Sequence, residues 1–350
     1  MAGIVDDPDL LAALPVGPAQ LLAQMAEAGS DQELATVCAG LRPAVIELHD
    51  EGTSTHTIAR VIAATHDVAT RRLLQLAGEL SYPFTWLALG GFARREGFPS
   101  SDQDNALAYE GPADAEPAML SHAEWIVSGL AECGFRPCDN GALASRPLFC
   151  RSLDRWRTLA QSLLHDPDQE HAVILVAVLI DGRPLWNAEL AGPPLATELG
   201  EVSHQPRLLH RLGRLALDHR PPTGFFRDFV VSHEGEHRGT LDIKQGGMLP
   251  ITTLARWAAI RAGVTAGSTL ERLSAAAAVG TLDADQATML RVAFELFGDL
   301  RMAHQVEQLR AGRPPDDHLD PRRLDRLTRR TLREAFRAVA DIQRGIERTA

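Results

Sequence analysis

The 350-residue chain contains a single lysine, Lys244, and its other basic side chains are arginines and histidines. Acidic residues outnumber lysine plus arginine by 46 to 35, so the formal net charge is −11. Nonspecific binding to duplex nucleic acid depends on many lysines and arginines that neutralise phosphates. The charge balance therefore argues against duplex nucleic acid as a partner, and it makes Lys244 conspicuous as a candidate functional cation.

Cysteine is also scarce, with four residues at positions 38, 133, 138 and 150. Cys133 and Cys138 are spaced too widely for a CxxC redox or zinc motif, and no matching Cys/His pair follows them. We therefore expect reduced thiols in a cytoplasmic protein, because disulfides are rare in that compartment.

Long hydrophobic runs are missing as well. The longest, AVILVAVLI at residues 172–180, is too short to cross a bilayer as a helix. The N-terminal stretch MAGIVDDPDLL is acidic and lacks the basic and apolar regions of a signal peptide. These absences predict a soluble, cytoplasmic protein without a membrane partner.

What the chain does have is enough apolar sequence, 45% of its residues, for a large core and for two or three domains. Up to about residue 80 the apolar residues recur at helical spacing. Thr53 or Ser54 is a candidate helix cap, and the Ser81–Pro83 segment interrupts the pattern. We predict a helical N-terminal segment at residues 1–80.

Between residues 81 and 186 the pattern changes to short strands. TWLALG and SDQDNALAYE are typical of two strands, and SHAEWIVSGLAECGF is typical of a helix that ends near Gly134. HAVILVAVLIDG is apolar and β-branched, which predicts a third strand that stops at Asp181. Strands with one intervening helix indicate a small mixed α/β core.

Residues 187–350 are mostly helical again, apart from FRDFVVSHEGEHRGTLDIK, which could form a short extended pair around a glycine-containing turn. Asp283 and Asp320 occupy N-cap positions before long helical segments. The whole chain therefore predicts an α+β fold. Its small mixed-sheet core, residues 81–186, is flanked by the N-terminal helices, residues 1–80, and by a C-terminal helical domain, residues 187–350.

The most informative stretch is LALGGFARREGFPSSDQDNALAYEG, residues 87–111. In a strand Asp102 and Asp104 would project to the same face, about 6.5–7 Å apart at their backbones. Two carboxylates at that spacing repel each other unless a cation lies between them, and a hard divalent ion such as Mg²⁺ suits oxygen ligands. A surface loop with ordinary turn residues is the alternative.

The Gly90-Gly91 pair precedes these carboxylates and ends the first strand. Glycine has no Cβ, so the backbone can approach a ligand closely at this turn. If residues 92–97 form a helical turn, its free amides can donate to phosphate oxygens. The combination of glycine turn and Asp-x-Asp therefore indicates a site for a phosphate and a metal ion.

LGGFARREGFPSSDQDNAL resembles the signature of the nucleotidyltransferase superfamily that includes DNA polymerase beta. The closest resemblance is to the bacterial DUF294 nucleotidyltransferases, relatives of the uridylyltransferase that modifies the PII signalling protein. Their Gly-Ser-x-Gly-Arg-x-Glu corresponds to GGFARRE at residues 90–96, and their Thr-Asp-Gln-Asp-Asn-Ala to SDQDNA at residues 101–106. Gly91 replaces the serine, as in the PII-modifying relatives, and Ala93 replaces a glycine.

The resemblance extends into the C-terminal half. GTLDIKQGGMLPITTLAR, LRMAHQVEQLRAGRPPDDHLDP and LREAFRAVADIQ are similar to the family's substrate-binding region. The helical stretch before the motif also resembles the segment that precedes the family's catalytic domain. Similarity therefore covers about residues 40–345.

A third carboxylate is expected because two-metal nucleotidyl transfer uses one to bind the second metal and to help deprotonate the attacking hydroxyl. Asp181 is the best candidate, since it would lie at the end of the most apolar strand. The family has a similar Phe-Asp-x-Arg-Pro, and this chain has IDGRP at residues 180–184. Asp181 could instead close a hairpin turn, and Arg183 could contact phosphate or be a solvated turn residue.

Further cations are candidate phosphate ligands. If TLDIK is extended, Asp242 and Lys244 share a face, and the resemblance suggests Lys244 as a cation for the triphosphate. An ion pair between domains is the alternative for Lys244. Arg94 and Arg95 follow the glycine turn, so one of them could touch phosphate while Glu96 orients it, or all three could form a charged helix face.

Two histidine patterns receive structural interpretations. HEGEH at residues 233–237 spells HExxH, but its internal glycine and extended flanks do not provide the helix that a zinc site needs. His304-Gln305 is typical of a buried polar contact on a helix.

The resemblance implies a Mg²⁺-dependent nucleotidyltransferase that moves a nucleoside monophosphate from an NTP to an acceptor hydroxyl. Two Mg²⁺ ions would be held by Asp102, Asp104 and Asp181, and Gly90, Gly91 and nearby amides would cradle the outer phosphates. By analogy with PII uridylylation, a signalling protein is one candidate acceptor. There are two alternatives: a non-catalytic nucleotide sensor or protein-interaction module, and phosphoester hydrolysis at the same site. The motifs leave open which NTP is preferred, ATP or UTP included, and what the oligomeric state is.

Overall fold

The computed structural model describes residues 16–169, 171–190, 200–222 and 237–349. The chain forms two compact units. Unit 1 consists of residues 1–165 and 178–199, and unit 2 consists of residues 166–177 and 200–350. The helices predicted for the N-terminal segment thus share one unit with the sheet.

The helices of unit 1 begin with a cluster that packs around one long central helix. These helices are α1 (Val16–Glu27), α2 (Asp31–Cys38), α3 (Leu41–Asp50), α4 (Thr55–Leu76), α5 (Gly90–Ala93), α6 (Glu116–Glu132) and α7 (Leu153–His165). Ser54 caps α4 by accepting a hydrogen bond from the amide of Thr57 at 3.2 Å, which confirms one of the two predicted caps. Most of α4 is buried because it contacts α1, α3, α6 and the sheet.

Within the described residues, unit 1 contains a mixed sheet of four strands in the order β3-β2-β1-β4. The strands are β1 (Phe84–Ala88), β2 (Asn105–Tyr109), β3 (Cys150–Ser152) and β4 (Arg183–Trp186). β1 pairs antiparallel with β2 and β4, whereas β2 and β3 are parallel. The C-terminal residue of β1, Ala88, lies opposite Asn105 and Arg183, so the turn after β1 lies next to the starts of two other strands. The predicted α+β class is confirmed.

The predictions for β1 and α6 are confirmed, and α6 ends before Gly134, where φ is +94°. The second predicted strand starts later than expected, at Asn105 instead of Ser101. Asp102 to Asp104 precede it as a lead-in whose middle residue, Gln103, forms an isolated bridge with Pro137.

The prediction of a strand at HAVILVAVLIDG is wrong, because Ala172–Leu179 is a helix, α8. A short continuous apolar run has no periodicity, so a buried strand and a packed helix look alike in sequence. The strands that complete the sheet, β3 and β4, are short and were missed. Asp181 consequently lies in the turn between α8 and β4, not at the end of a strand and not in a hairpin.

Unit 2 is largely helical. Its helices are α9 (Pro206–Asp218), α10 (Leu249–Arg261), α11 (Thr269–Ala278), α12 (Ala284–Arg310) and α13 (Arg326–Thr349), with 3₁₀ turns at Glu201–His204 and Pro321–Arg323. Asp283 caps α12 in a capping box with Gln286, as predicted. Asp320 caps the 3₁₀ turn, and α13 begins after it.

The predicted extended arrangement of Asp242 and Lys244 is wrong. Only Leu241–Asp242 is a strand, β5, which pairs with β6 (His318–Leu319), and Lys244 begins a π-helix, Lys244–Met248. The Asp242 carboxylate accepts a hydrogen bond from the amide of Gln245 at 2.8 Å, which turns the chain out of the strand.

The polar helix contact predicted for His304-Gln305 is confirmed. The Gln305 amide donates to Asp317 Oδ1 at 2.6 Å, and His304 Nε2 lies 3.3 Å from Asp316 Oδ1. Of the HExxH pattern, residues 233–236 lie outside the described residues, and the His237 ring stacks on His318 at 3.5 Å. Across the described ranges no helix combines the length and the apolarity that crossing a membrane requires.

Candidate functional site

The glycine turn follows β1 directly. Gly90 has φ +56°, a left-handed conformation that favours glycine. A Cβ at this position would also collide with the Asp104 carboxylate, because it would lie 3.4 Å from Cγ and closer still to Oδ2. The amide of Leu89 donates to the carbonyl of Asp104 at 2.9 Å. Backbone and side-chain constraints therefore hold Gly90 and Asp104 against each other.

The helical turn was predicted at residues 92–97, but it begins earlier, at Gly90, and ends at Ala93. The chain then folds back, because the amide of Glu96 donates to the carbonyl of Gly91 at 2.8 Å and Arg95 adopts φ +59°. The first amides of a helical turn have no partner inside the turn. The amides of Gly90, Gly91 and Phe92 are in this position.

The Asp-Gln-Asp-Asn segment alternates between the two sides of the chain. The buried side-chain amide of Gln103 donates to the carbonyls of Val127 and Phe135 at 3.0 and 2.9 Å. The side-chain amide of Asn105 donates to Gln103 Oε1 at 3.0 Å. Because alternate residues of an extended chain face opposite sides, these anchored amides leave Asp102 and Asp104 together on the other side.

Arg136 is a site residue that the sequence did not reveal. Its guanidinium Nη2 lies 2.6 Å from Asp102 Oδ1, and its carbonyl accepts the amide of Gln103 at 2.7 Å. The Arg136 side chain is 63% exposed and that of Asp102 is 17% exposed. This ion pair offsets part of the negative charge that the two aspartates bring together, and its only sequence signal is a cation just after α6.

Cys138 is a second neighbour that sequence reasoning missed. Its thiol lies next to the Asp104 carboxylate. Burial, followed by the charge of Asp104, raises the pKa of Cys138 to about 11. Cys138 is therefore a neutral thiol at neutral pH, and all four cysteines are free in the structure.

Asp181 lies next to the turn but is bound to an arginine. Its side chain is fully buried and forms an ion pair with Arg94, whose Nε also lies 2.8 Å from Glu96 Oε2. Burial alone would lower the pKa of Arg94, but the carboxylates of Asp181 and Glu96 outweigh burial and raise it. Arg94 thus joins the turn to the segment that leads into β4.

Arg183 makes a second set of contacts with the turn. Its guanidinium lies 2.8 Å from Asp67 Oδ2 on α4 and donates to the carbonyls of Phe92 and Ala93 at 2.9 and 3.0 Å. The prediction of a solvated turn residue is wrong for Arg183, because its side chain is only 18% exposed. Burial raises the pKa of Asp67, but the charge of Arg183 and further hydrogen bonds outweigh burial and lower it.

His66 lies beneath the turn and was also missed, because α4 was interpreted only from its apolar stripe. The ring stacks on Phe92 at 4.1 Å, and neither ring nitrogen has a hydrogen-bond partner among the described residues. Nδ1 is 3.7 Å from Asp67 Oδ1, beyond hydrogen-bond distance. Burial, the largest effect, lowers the pKa of His66, so the ring is neutral.

Lys244 lies in unit 2. It is half-buried at the start of the π-helix and has no ion pair with any residue in the described part of the chain. π-Helical turns often occur at functional sites. Gly246 and Gly247 help to form this one, since a Cβ at either would come within 2.8 Å of Pro222 or 3.0 Å of Phe297.

The fit of the site to Mg²⁺ depends on its carboxylates. Nowhere in the described ranges do three Asp, Glu, His or Cys side chains form a group that could hold a metal. Asp102 and Asp104 nevertheless supply the hard oxygen donors that Mg²⁺ prefers, and Mg²⁺ is commonly bound by one or two carboxylates together with substrate phosphates. The pair therefore fits a magnesium–nucleotide complex, whereas Asp181, bound to Arg94, does not complete a protein cage.

Two family models match the chain. Residues 39–170 match the family described as putative nucleotidyltransferase DUF294, and residues 206–350 match a putative nucleotidyltransferase substrate binding domain. No curated protein matches the chain. The first match contains the glycine turn and both aspartates, and the second contains Lys244 and the helices of unit 2 from α9 onward. The chain belongs to the DUF294 family of putative nucleotidyltransferases and carries the domain described as that family's putative substrate binding domain.

Proposed function

We propose that this protein is a Mg²⁺-dependent nucleotidyltransferase that moves a nucleoside monophosphate from an NTP to an acceptor hydroxyl. The observation that carries the proposal is the contact between Gly90 and Asp104, with Asp102 on the same side of the chain. This contact brings a turn whose first amides have no partner inside the turn against a carboxylate pair suited to Mg²⁺. A triphosphate needs both kinds of partner.

In the proposal, one group of residues in unit 1 binds the metal ion and another binds phosphate. Asp102 and Asp104 would hold Mg²⁺, which supplies positive charge to the triphosphate when it is bound. The amides of Gly90, Gly91 and Phe92 would donate to phosphate oxygens. Arg136, which is mostly exposed, can leave Asp102 and turn to a phosphate when a cation takes its place.

In the proposed reaction an acceptor oxygen forms a bond to the α-phosphorus while the bond from that phosphorus to the β-bridging oxygen breaks. Pyrophosphate leaves and the acceptor hydroxyl gives up its proton. Catalysis of such a transfer depends mainly on positioning and on electrostatic stabilisation. The close packing of the Asp104 carboxylate against Gly90 supports both.

The acceptor would be bound by unit 2. This assignment is supported by the family model for residues 206–350, whose description is a substrate-binding domain. Lys244 is our candidate there for an anionic group of substrate or nucleotide, because it is half-buried and forms no ion pair within the described ranges. A signalling protein as acceptor rests on the resemblance to PII-modifying enzymes.

The function is tested by incubating the protein with each of the four labelled NTPs, Mg²⁺ and a lysate of its own cell. We expect one NTP to label an acceptor with release of pyrophosphate. The double variant Asp102→Asn/Asp104→Asn should lose both Mg²⁺–NTP binding and labelling. Its free energy of unfolding should not fall much, since two close carboxylates repel each other.

The matched control is Asp154→Asn on α7, where the carboxylate is 90% exposed and pairs with Arg157. This variant should bind Mg²⁺–NTP and label the acceptor like the wild type. Wild-type binding by the double variant would show that the two aspartates are not the metal ligands.

A non-catalytic nucleotide sensor is the second candidate, and the pairing of Asp181 with Arg94 favours it. Among the residues that the structure describes, this pairing leaves the site without a third carboxylate to help with proton removal. Mg²⁺–NTP binding without pyrophosphate release in any lysate would support the sensor. Release of orthophosphate or of free NMP, without acceptor labelling, would indicate hydrolysis.

A further inference from the structure

Two arginines connect the glycine turn with the start of β4, one from each side. Arg94 lies at the end of the helical turn α5 and pairs with Asp181, just before β4. Arg183, the first residue of β4, reaches back to the turn and to Asp67 on α4. We name these four residues, together with Glu96, the arginine clasp: Asp67, Arg94, Glu96, Asp181 and Arg183.

We propose that Asp181 and Arg183 are positioning residues, which hold the Gly90–Glu96 turn in its phosphate-binding shape through the arginine clasp, and that Asp181 is not a metal ligand. This inference rests on the proposed function for its phosphate ligand.

Burial is the first argument. The Asp181 side chain is fully buried, and those of Arg94 and Glu96 are 11% and 10% exposed. Releasing Asp181 to a metal ion would leave the buried guanidinium of Arg94 without its main counter-charge. Breaking a buried pair in this way is strongly unfavourable. The geometry therefore assigns the Asp181 carboxylate to Arg94.

Hydrogen-bond geometry is the second argument. Arg183 donates to the carbonyls of Phe92 and Ala93 and pairs with Asp67, so one guanidinium satisfies the end of the helical turn and a buried carboxylate together. A planar guanidinium provides several donors in a fixed fork, whereas lysine is a single point of charge. Arginine at this position therefore fixes both the distance of the turn from α4 and its orientation.

Strand register links the two pairs. Arg183 lies opposite Ala88 of β1, two residues before the turn begins. The start of β4 thus places two side chains against the same turn. Asp181, just before the strand, contacts Arg94, and Arg183, its first residue, contacts the carbonyls of Phe92 and Ala93. The Asp-Gly-Arg order follows from this arrangement without any metal at Asp181.

The experiment compares four variants of the full chain by amide hydrogen exchange and by binding of Mg²⁺–NTP and of the matching NMP. They are Arg183→Lys, Asp181→Asn, the neutral pair Arg94→Gln/Asp181→Asn, and the control Arg157→Lys on the exposed face of α7. Arg183→Lys and Asp181→Asn should speed exchange at residues 90–96 while β1 and β2 stay protected. Affinity for NTP should fall on the order of 10- to 100-fold, and more than affinity for NMP, because the turn contacts the outer phosphates.

The neutral pair separates positioning from metal binding even if Asp181→Asn alone fails to fold. It removes two opposite charges together and leaves the net charge of the clasp unchanged, so it should fold and keep the Mg²⁺ stoichiometry of the wild-type NTP complex. Loss of a bound Mg²⁺ with unchanged exchange at the turn would overturn the proposal and make Asp181 a metal ligand. If the wild type binds no NTP, the proposed function fails, but the exchange measurements still test the clasp.

Discussion

Gly90 carries two constraints at once, a left-handed backbone and a Cβ site that the Asp104 carboxylate already fills. Gly90→Ala should lose about 1–2 kcal/mol of unfolding free energy for its backbone conformation. Displacing Asp104 should cost about 1–3 kcal/mol more, and Mg²⁺–NTP binding should disappear. Urea unfolding and calorimetry measure the two effects.

Gly141 offers the matched control, because its φ is +76° and a Cβ there would meet no atom of the described residues within 4 Å. Gly141→Ala should show only the backbone cost and should keep nucleotide binding. Equal losses of stability in the two alanine variants would mean that the contact between Gly90 and Asp104 adds no constraint.

His66 gives the stability of unit 1 a pH dependence. Its pKa is lowered in the folded state by burial, so below its unfolded value, about 6.5, the unfolded chain binds more protons than the folded protein. Unfolding free energy should therefore fall as pH drops from 7 to 5, by at most about 1.4 kcal/mol per pH unit. His66→Phe keeps the stacking on Phe92 and should flatten this slope in urea unfolding curves measured between pH 5 and 7.

His56→Gln, on the exposed part of the same helix, controls for the loss of a histidine. An unchanged slope in His66→Phe would show that another group causes the loss of stability in acid.

The residues of the site differ in how far the sequence could reveal them. One short segment contains Gly90, Gly91, Asp102 and Asp104. Turn geometry and strand alternation within it are enough to predict a site for a phosphate and a metal ion. Asp67 and Arg183 are 116 positions apart, and their pairing depends on how α4 packs against the start of β4. A contact of that kind has no local signal, so the clasp could not be predicted from a single chain.

At the scale of elements, α12 shows a local signal that determined a boundary. Asp283 accepts a hydrogen bond from the amide of Gln286 at 2.7 Å, and the Gln286 side chain returns the contact. Asp283→Ala should lower unfolding free energy by about 1 kcal/mol and speed exchange in the first turn of α12. Asp285→Ala, in the same exposed turn but outside the capping box, should cost only a few tenths of that through the helix dipole. Equal effects would mean that charge near the helix end, not the cap, stabilises α12.

The element that the sequence failed to predict, α8, shows the opposite case. Ala172–Leu179 is apolar throughout, so no polar face marks helical periodicity, and β-branched residues favour a strand in isolation. Packing decides its state. Short edge strands such as β4, with only four residues, have little pattern of their own, and pairing with β1 determines their position.

At the scale of the whole molecule, the general class could be predicted and the division of the chain could not. Long helical periodicity and a few short strands were enough for an α+β fold. The two compact units, however, alternate along the chain: residues 166–177 belong to unit 2, and residues 178–199 return to unit 1. Composition marks no linker at these crossings, and α8 (Ala172–Leu179) itself continues across the return to unit 1 after residue 177.

This return of the chain has a consequence for synthesis on the ribosome. The segment up to residue 165 supplies three strands and the glycine turn, but Asp181 and Arg183 emerge later, after residues that belong to the other unit. A nascent chain stalled near residue 165 would display the turn with both of its arginine contacts incomplete. The proposed nucleotide site should thus reach its final shape only after residue 186 has left the exit tunnel, and fragments that end before this residue should bind nucleotide poorly.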